Sequence, residues 1–465
     1  MSGLGWGASV LGSGSRSSDD EGSYTAHLED LDVCDATFTA PDLTTFTGLD
    51  DLGLQVVGQR LCPEKAVLAC RVVADDRWCR RCGCEGRVRD SAVRELAHAP
   101  LGWRPTVLRV RLRRYRCTGC GHVWRQDLSS AAAPRCKLTR TALAWALEGL
   151  VVAHLSMTRI AHALGVAWDT ANTAVLEEGR RVLISDDTRF DGVKVLGVDE
   201  HVWRHTRCGD KYVTVIIDLT GARDGTGPAR LLDMIEGRSK AAFKTWLAGR
   251  DKTWREQVEV VAMDGFTGFK TAAVEEIPHV TAVMDPFHVV HLAADALDEC
   301  RRRTQQDILG RRGRTGDPLY KTRRTLRTGA DLLTDRQKAR LEDLFADERH
   351  VAVEVTWGVY QRTIAAYRDP DRTAGKATMS TLITTIARGV PPGLAEVARL
   401  GRTLSKRADD VLAFFDRPGT SNGPTEAING RLEHLRGIAL GFRNLTHYIA
   451  RSLLDAGGFR QHLHR

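Results

Sequence analysis

Two Cys-x-x-Cys pairs constrain the possible folds of this chain more than any other feature of its sequence. They are Cys79–Cys82 and Cys117–Cys120, and glycine follows each pair directly, at Gly83 and Gly121. Glycine permits a tight turn in which backbone N–H groups point at sulfur, and four thiolates in two such pairs suit tetrahedral zinc. The pattern predicts a structural zinc site, with Cys84 as an alternative second ligand. Redox chemistry or chance use of cysteine is the competing explanation.

The zinc prediction depends on a reducing compartment. The N-terminus lacks the basic-then-apolar pattern of a secretory signal, and no run of about 18 apolar residues occurs. Both observations predict a cytoplasmic protein with no membrane partner, whose thiols stay reduced. Its 11 cysteines then need a use other than disulfides.

The segment between the cysteine pairs predicts a β-ribbon. It is 34 residues long, and three apolar residues of it, beginning at Leu108, alternate with arginines. In an extended strand the apolar residues would occupy one face and the arginines the other. We therefore predict a zinc-ribbon domain over 56–136. Its candidate contacts to a polyanion are Arg109, Arg111 and Arg113.

Charge is distributed unevenly along the 465 residues. The net charge is +8, but residues 1–50 hold nine acidic residues and one basic residue, so they sum to −8 and residues 51–465 carry +16. A body this basic favours nucleic acid as a partner through counterion release, although compositional bias alone also makes proteins basic. The Gly- and Ser-rich start and the acids after it predict a partly disordered acidic arm over 1–55.

A second basic stretch lies within 286–417, which we expect to be mostly helical. Residues 301–327 contain ten basic residues against two acidic ones, Asp307 and Asp317, a local excess of +8. A charge run is usually a solvated face, but this excess also suits contact with phosphates. The candidate phosphate contacts are Arg301, Arg302, Arg311 and Arg312.

Residues 137–185 predict a helix-turn-helix unit. A leucine repeat beginning at Leu143 indicates a first helix. Ser156 then suits the N-cap of a short helix, Gly165 suits a tight turn, and a further helix is expected from about Trp168. This spacing is typical of DNA-binding helix-turn-helix motifs, although many plain helical hairpins also contain glycine. The candidate base contacts are Trp168, Thr170 and Asn172.

From residue 193 onward the sequence changes to short β-branched runs. The five predicted strands are Val193–Val198, Tyr212–Leu219, Leu231–Ile235, Val258–Met263 and His279–Met284. Three strands in succession, followed by alternating helices and strands, indicate a mixed α/β sheet, and this order fits the ribonuclease H-like fold. We predict the first part of a catalytic core over 190–285 and its C-terminal helices over 418–465, so that the whole chain is a multidomain α+β protein.

Three acidic residues are candidate metal ligands. Asp199 and Asp264 end predicted buried strands, and Glu426 lies in the first turn of a helix that Ser421–Pro424 opens. Mg²⁺ prefers oxygen ligands, and two ions about 4 Å apart support phosphoryl transfer. Each acid alone is better explained as an ordinary cap. Together with a zinc ribbon, a helix-turn-helix and a basic helical region, the three predict a DNA-binding enzyme that uses two Mg²⁺ or Mn²⁺ ions.

Taken in order, these segments resemble the transposases of the ISL3 insertion-sequence family, a DDE-type group. The resemblance covers about residues 55–460 and lies in the order of the segments more than in any one of them. The matching segments are Cys79–Cys82 with Cys117–Cys120, Ser156–Asn172, Gly197–Glu200, Met263–Phe266, Met284–Val290, Ser421–Arg431 and Gly441–Asn444.

The resemblance implies a ribonuclease H-like catalytic domain with a helical insertion, and it assigns the catalytic triad to Asp199, Asp264 and Glu426. The step of 162 residues from Asp264 to Glu426 leaves room for that insertion. Family members cut DNA at the ends of their element and join the 3′ ends to a target. The implied partners are double-stranded DNA, with the zinc and helix-turn-helix modules reading terminal inverted repeats, and further copies of the chain in a dimer or larger complex. Such a protein would work on the bacterial nucleoid.

Several residues near the acids have either a role beside the metal site or a purely structural role. Asp285 and His288 would sit beside the metal site, but Asp285 is explained equally well as the cap of the helix that follows. Glu200 would point away from Asp199 if the strand continues.

For three further residues, and for the function of the chain, the sequence allows more than one interpretation. Asn422 and Asn429 either touch DNA or cap and pack, and Trp203 either stacks on a flipped base or packs in the core. The alternatives to an active transposase are a catalytically silent DNA-binding regulator and a nuclease that cuts without joining. The presence of all three acids favours catalysis over the regulator.

Overall fold

The computed structural model, which describes residues 42–206 and 211–463, contains two five-stranded β-sheets and several groups of helices. This architecture confirms a multidomain α+β chain. Residues 1–41 lie outside the described residues, and most of the predicted acidic arm lies there with them.

The N-terminal sheet is built around one long hairpin. Its elements are α1 (Leu43–Phe46), β1 (Leu54–Leu61), β2 (Ala66–Val72), β3 (Gly86–Leu101), β4 (Arg104–Cys117) and β5 (Val123–Arg125). The strand order is β1-β2-β4-β3, with β5 beside β4. The apolar residues of β4 are buried and the arginines between them are exposed, as the alternation predicts. Leu49 and Leu54 are buried in the same core, so the packed domain begins before residue 56.

Three helices follow the sheet, namely α2 (Arg140–Val151), α3 (Met157–Leu164) and α4 (Trp168–Gly179). The hydroxyl of Ser156 accepts the N–H of Arg159 and caps α3. Gly165 has a φ of +64°, which is the left-handed conformation that ends α3 and permits the turn to α4. The predicted helices, cap and turn are confirmed. A π-helical turn, Arg180–Ile184, and a 3₁₀ turn, Asp187–Phe190, lead to the central sheet.

The central sheet lies between two hydrophobic cores. Its elements are β6 (Val195–Val202), β7 (Tyr212–Asp218), α5 (Thr220–Asp224), β8 (Arg230–Glu236), α6 (Lys240–Ala248), α7 (Lys252–Gln257), β9 (Val260–Met263), α8 (Thr267–Glu276) and β10 (Thr281–Met284). The strand order is β10-β9-β6-β7-β8. Strand β7 is antiparallel to both neighbours, while β9 is parallel to β6 and β10. Helices α6 to α8 cover one face, and α2 to α4 share the core on the other.

All five predicted strands are present, but the end of the first was predicted wrongly. Strand β6 does not stop at Asp199. It continues to Val202 because Asp199 pairs with Val215 and Val202 pairs with Tyr212. Asp199 therefore projects from within a strand rather than from a loop after it.

The segment predicted as a helical insertion is mostly helical and has a core of its own. Its helices are α9 (Pro286–Leu309), α10 (Pro318–Lys321), α11 (Arg323–Leu326), α12 (Asp335–Phe345), α13 (Val351–Arg368), α14 (Arg372–Arg388), α15 (Ala395–Lys406) and α16 (Ala408–Asp416), with 3₁₀ turns at Ala330–Leu332 and Glu348–His350. No helix in the described ranges has the length and apolarity needed to cross a membrane.

The chain then returns to the central sheet through α17 (Gly423–Ile438), α18 (Leu445–Ala456) and α19 (Arg460–Leu463). The hydroxyl of Tyr448 on α18 lies 2.7 Å from Nε2 of His201 on β6. The ring of Trp203 stacks on Tyr448 at 6.3 Å and is only 3% exposed. Of its two explanations, the structure therefore favours core packing for Trp203.

His98 connects the N-terminal sheet to the helices after it. Its Nδ1 lies 2.9 Å from Oγ1 of Thr139, the N-cap of α2, and the residue is 2% exposed. Burial lowers the pKa of His98 below its ordinary value, so the folded chain favours the neutral ring.

We expect acid to destabilise this connection. Because the pKa of His98 is lower in the folded chain than the unfolded value of about 6.5, its contribution to stability is complete above that pH and is lost as the pH falls below it. Thermal unfolding between about pH 7.5 and pH 5 should show a larger loss for the wild type than for His98→Asn, which carries no titrating group at that position. Equal losses in the two proteins would contradict this role.

Candidate functional site

The four predicted zinc ligands meet at the base of the β3–β4 hairpin. The Sγ atoms of Cys79 and Cys120 lie 3.7 Å apart, and those of Cys82 and Cys117 lie 3.3 Å apart. All four sulfur atoms lie within 4.8 Å of one another. One tetrahedral ion would fit this arrangement of thiolates.

Backbone N–H groups point at the sulfur atoms, as the glycines predicted. The N–H groups of Gly119 and Cys120 each donate to Sγ of Cys117 at 3.3 Å. The hydrogen bond from Cys120 is the main cause that lowers the pKa of the Cys117 thiol to about 6. The two predicted turn glycines have φ values of +75° and +69°. Cys84 packs against Gly119 but lies outside the group of four.

Replacement of Cys117 should release the metal. In Cys117→Ser we expect zinc per chain to fall towards zero and the ribbon to unfold locally, because structural zinc contributes folding energy directly. Elemental analysis and limited proteolysis would measure both effects. Cys84→Ser is the matched control and should keep its zinc. Full zinc in the first variant, or loss of zinc in the second, would overturn the ligand assignment.

The central sheet brings two of the predicted acids together. Val198 of β6 and Met263 of β9 are partners in the parallel pairing. Asp199 and Asp264 come directly after them and so lie at neighbouring positions on one edge. The Oδ1 of Asp264 accepts the N–H of Phe266 at 2.8 Å, which orients its carboxylate.

Helix α17 brings the third acid to the same edge. Glu426 is exposed in its first turn, and this end of the helix packs against Gly197 of β6. A Cβ at Gly197 would lie 2.6 Å from Oγ1 of Thr425, so the close approach needs glycine. One turn later, Nδ2 of Asn429 donates to Oδ2 of Asp199 at 2.8 Å. Asn429, which sequence reasoning left between DNA contact and packing, thus contacts a predicted catalytic acid.

The surroundings of Asp199 favour its neutral form. Burial is the largest cause that raises the pKa of Asp199 to about 7, and the charges of Asp264, Glu200 and Glu426 add to this effect. The N–H of Glu200, which donates to Oδ1 of Asp199 at 2.8 Å, acts in the opposite direction. The three predicted acids therefore belong to one electrostatic site. A bound cation would relieve the repulsion between them.

The donor atoms of this site fit hard divalent cations. The charges of Asp264 and Glu426 both act on the carboxyl group of Asp199. The Oδ1 of Asn429 is buried without a hydrogen-bond partner among the described residues. Such oxygen donors suit Mg²⁺ or Mn²⁺. Among the described residues, the three acids do not form a group as compact as the four cysteines, whose sulfur atoms all lie within 4.8 Å of one another.

Two residues of the helical segment hold the loop after Asp264. A Cβ at Gly265 would lie 2.3 Å from Nε2 of His288, so α9 packs directly on this loop. Burial lowers the pKa of His288, and the charge of Asp264 acts against that shift. Arg407 donates from Nη1 to the carbonyl of Gly265 at 2.9 Å, and its guanidinium pairs with the buried Asp410. The sequence contains no signal for Arg407, because it stands among other charged residues, Lys406 and Asp409, as many surface arginines do.

Asp285 and Asn422 fix the start of α17 against the end of β10. Asp285 follows β10 directly, is 5% exposed and accepts the N–H of Asn422 at 2.8 Å. Burial raises the pKa of Asp285. Asn422 is itself 3% exposed, so the structure favours packing over DNA contact for this residue.

Comparison with known proteins agrees with this arrangement. A family model described as a transposase, that of the ISL3 group of DDE enzymes, matches residues 196–452, which is more than half of the chain and includes all three acids. The chain belongs to the ISL3 family of DDE transposases. Membership places this ISL3-family chain among enzymes that cleave DNA and transfer its strands.

Curated relatives of this ISL3-family chain carry the same description. Two proteins from different strains of Mycobacterium tuberculosis, each named a transposase for insertion sequence element IS1557, are 25% identical to it over 329 residues. The aligned region covers 66% of this chain and 69% of each relative. The likeness to these relatives therefore covers about two thirds of this chain.

In this ISL3-family chain, the arginines of the ribbon lie on the exposed face of β4. Arg109 pairs with Glu95 at 3.2 Å, and Arg113 lies 3.9 Å from Asp75. Arg111 has no ion pair among the described residues, which leaves its charge the most available of the three for phosphate.

The predicted base contacts on α4 differ in accessibility. Trp168 is 48% exposed in the first turn, and Thr170 is half-buried. Asn172 is only 4% exposed, and its Nδ2 lies 3.4 Å from Nδ1 of His447 on α18. We therefore withdraw Asn172 as a base contact, because α18 covers it.

The basic run over 301–327, which begins in α9 and continues beyond its end, is less available for phosphate contact than its composition suggests. Arg301 and Arg302 both pair with Asp298, and Arg301 is 6% exposed. We withdraw Arg301 as a phosphate contact because its guanidinium is buried and paired. Arg311 forms a two-point ion pair with the aspartate before α10, at 2.8 and 2.9 Å. Arg312 is exposed and has no ion pair among the described residues.

Proposed function

We propose that this chain is an active transposase that uses Asp199, Asp264 and Glu426 to cut DNA at the ends of its element and to join the 3′ ends to a target. The observation that supports this most is the meeting of these acids, from strands β6 and β9 and helix α17, in one electrostatic site. If these acids were only helix or strand caps, each would accept nearby N–H groups, and there would be no reason for Glu426 to lie in one electrostatic site with Asp264, which precedes it by 162 residues.

The central sheet supports a ribonuclease H-like reading of the catalytic core. Three antiparallel strands are followed by two parallel ones on the other side of β6, and α17 returns after the helical insertion. In this interpretation Asp199, Asn429 and the loop after Asp264 are rigidly placed before any substrate arrives. Such preorganisation is what a phosphoryl-transfer site requires.

The residues of the site have separable roles. Asp199, Asp264 and Glu426 would hold two Mg²⁺ or Mn²⁺ ions. When bound, these ions activate the attacking water or 3′-hydroxyl and stabilise the leaving oxygen. Asn429 orients Asp199 through its hydrogen bond, and Arg407 and His288 fix the backbone beside Asp264.

The N-terminal modules would recognise the terminal inverted repeats. The ribbon, with its zinc, and the α3–α4 unit present exposed arginines and Trp168. The α3–α4 unit is firmly attached to the catalytic part, since a Cβ at Gly179 of α4 would lie 2.9 Å from Leu454 of α18. Recognition and cutting would therefore occur at a fixed separation. We also propose a dimer or larger complex on nucleoid DNA, because two ends must be joined to one target.

Amide substitutions test the acids. Purified protein would be incubated with Mg²⁺ or Mn²⁺ and a supercoiled plasmid carrying the element ends. Asp199→Asn, Asp264→Asn and Glu426→Gln should each reduce end-specific cleavage by about 10²–10³-fold or more, while end binding in a gel-shift assay stays near the wild-type level. Glu236→Gln is the matched control, because Glu236 is an exposed acid at the end of β8 and has no ion pair among the described residues.

The same assay separates the other functions. Binding without cleavage by the wild type would favour the regulator. Cleavage without transfer of labelled 3′ ends to target DNA would favour a nuclease. If an amide variant also loses end binding, its acid is structural.

Asn429 should affect the metal requirement. Asn429→Ala removes the donor to Asp199, and loss of such an outer hydrogen bond typically costs 10–100-fold in metal affinity or activity. We expect the Mn²⁺ concentration for half-maximal cleavage to rise by about that factor. His434→Ala, an exposed change on the same helix, is the control. An unchanged metal requirement in Asn429→Ala would show that the hydrogen bond has no role in catalysis.

A further inference from the structure

The tip of the β3–β4 hairpin presents an unusually exposed aromatic side chain. Leu101 and Arg104 are the last paired residues, and Gly102 and Trp103 form a two-residue turn between them. Gly102 has a φ of +63°, as a tight hairpin turn with glycine first requires. Trp103 is 79% exposed, and Leu101 beside it is 39% exposed. Tryptophan is enriched at interfaces, because its large ring supplies apolar contact area and its N–H can still find a hydrogen-bond partner.

The tip stands directly beside the α3–α4 unit. A Cβ at Gly165, in the turn between the two helices, would lie 3.0 Å from Cβ of Pro105. The guanidinium of Arg159 on α3 lies 5.9 Å from the ring of Trp103. The hairpin tip is therefore fixed next to the turn from which α4 begins.

Charge around the tip identifies the kind of partner. Arg104 and Arg159 are exposed, and neither forms an ion pair within 42–206 or 211–463. An apolar wedge flanked by unpaired arginines is the combination that proteins use in the minor groove of DNA. Tryptophan and arginine are also common at protein interfaces, but residues 51–465 carry a net charge of +16, which favours a polyanionic partner for this tip.

We propose that the hairpin tip, through Trp103 and Arg104, is a second DNA-reading element that enters the minor groove next to the major groove occupied by α4. The proposal rests on the proposed DNA recognition by the α3–α4 unit and names a surface in addition to it. The two strands of the hairpin are together wider than a minor groove of about 6 Å. The side chains of Trp103 and Arg104 would therefore enter the groove from the tip while the strands stay outside it. Arg159 would contact the phosphates between the two grooves.

The test compares two exposed apolar side chains. Val274 is 41% exposed on α8, which covers the face of the central sheet opposite α2 to α4 and belongs to neither proposed DNA-reading module. The full-length chain would be titrated into a labelled duplex carrying the element end, as wild type, Trp103→Ala, Arg159→Ala and Val274→Ala. Thermal melting and zinc content would verify that each variant is folded.

Trp103→Ala should weaken end binding by about tenfold or more and leave its salt dependence unchanged, because no charge is lost. Arg159→Ala should reduce the slope of log affinity against log salt by about 1. Val274→Ala should bind like the wild type. In footprinting, Trp103→Ala should lose minor-groove protection beside the α4 site and keep guanine N7 protection in the major groove.

Several outcomes would overturn the proposal. Trp103→Ala that binds like Val274→Ala would remove the tip from the DNA interface while leaving the proposed transposase function intact. Trp103→Ala that changes only the oligomeric state, measured by light scattering, would assign the tip to a contact between copies. A wild-type chain that fails to bind its element ends would overturn both proposals together.

Discussion

The parallel pairing of β6 with β9 is the interaction on which the candidate active site depends. A shift of one residue would turn every side chain of the strand to the opposite face and separate Asp199 from Asp264. The register is fixed by burial on both faces, since Val198 and Met263 are fully buried and partnered. The hydrophobic packing of the two strands thus fixes the positions of the carboxylates. The same packing buries Asp199, and this burial raises the pKa of its carboxyl group.

The helical segment between the second and third acids is tied to the site through buried polar contacts. Arg407, Asp410 and Lys270 form a connected ion cluster, with Lys270 2.8 Å from Asp410. Buried ion pairs contribute little net stability compared with apolar packing, so this cluster is better understood as fixing geometry. Arg407 reaches the carbonyl of Gly265, and in this way the position of the insertion determines the backbone next to Asp264.

The sequence predicted features that depend on residues close together in the chain, and it missed those that depend on distant residues. The alternation in β4, the glycine turns of the cysteine pairs and the cap of α3 are local patterns, and the structure shows each of them. The end of β6 was misjudged because Asp199 interrupts an apolar run, whereas pairing with β7 carries the strand further. Asn172 and Asn429 contact residues 275 and 230 positions away, so no local pattern reveals what covers or orients them. No helix was predicted over α7, because it carries a single buried residue, Trp254, and so lacks a periodic pattern of apolar residues.

The late position of α17 has a consequence for synthesis of the chain. Asp264 leaves the ribosome 162 residues before Glu426, which corresponds to about 8 to 30 s at ordinary elongation rates. During that interval Asp199 has no contact from Asn429, and His201 is not yet covered by Tyr448. A chain that stops within the helical insertion would keep the ribbon and the α3–α4 unit while lacking an acid. Under the proposed function, such a fragment would occupy element ends without cutting them and would compete with the full-length chain.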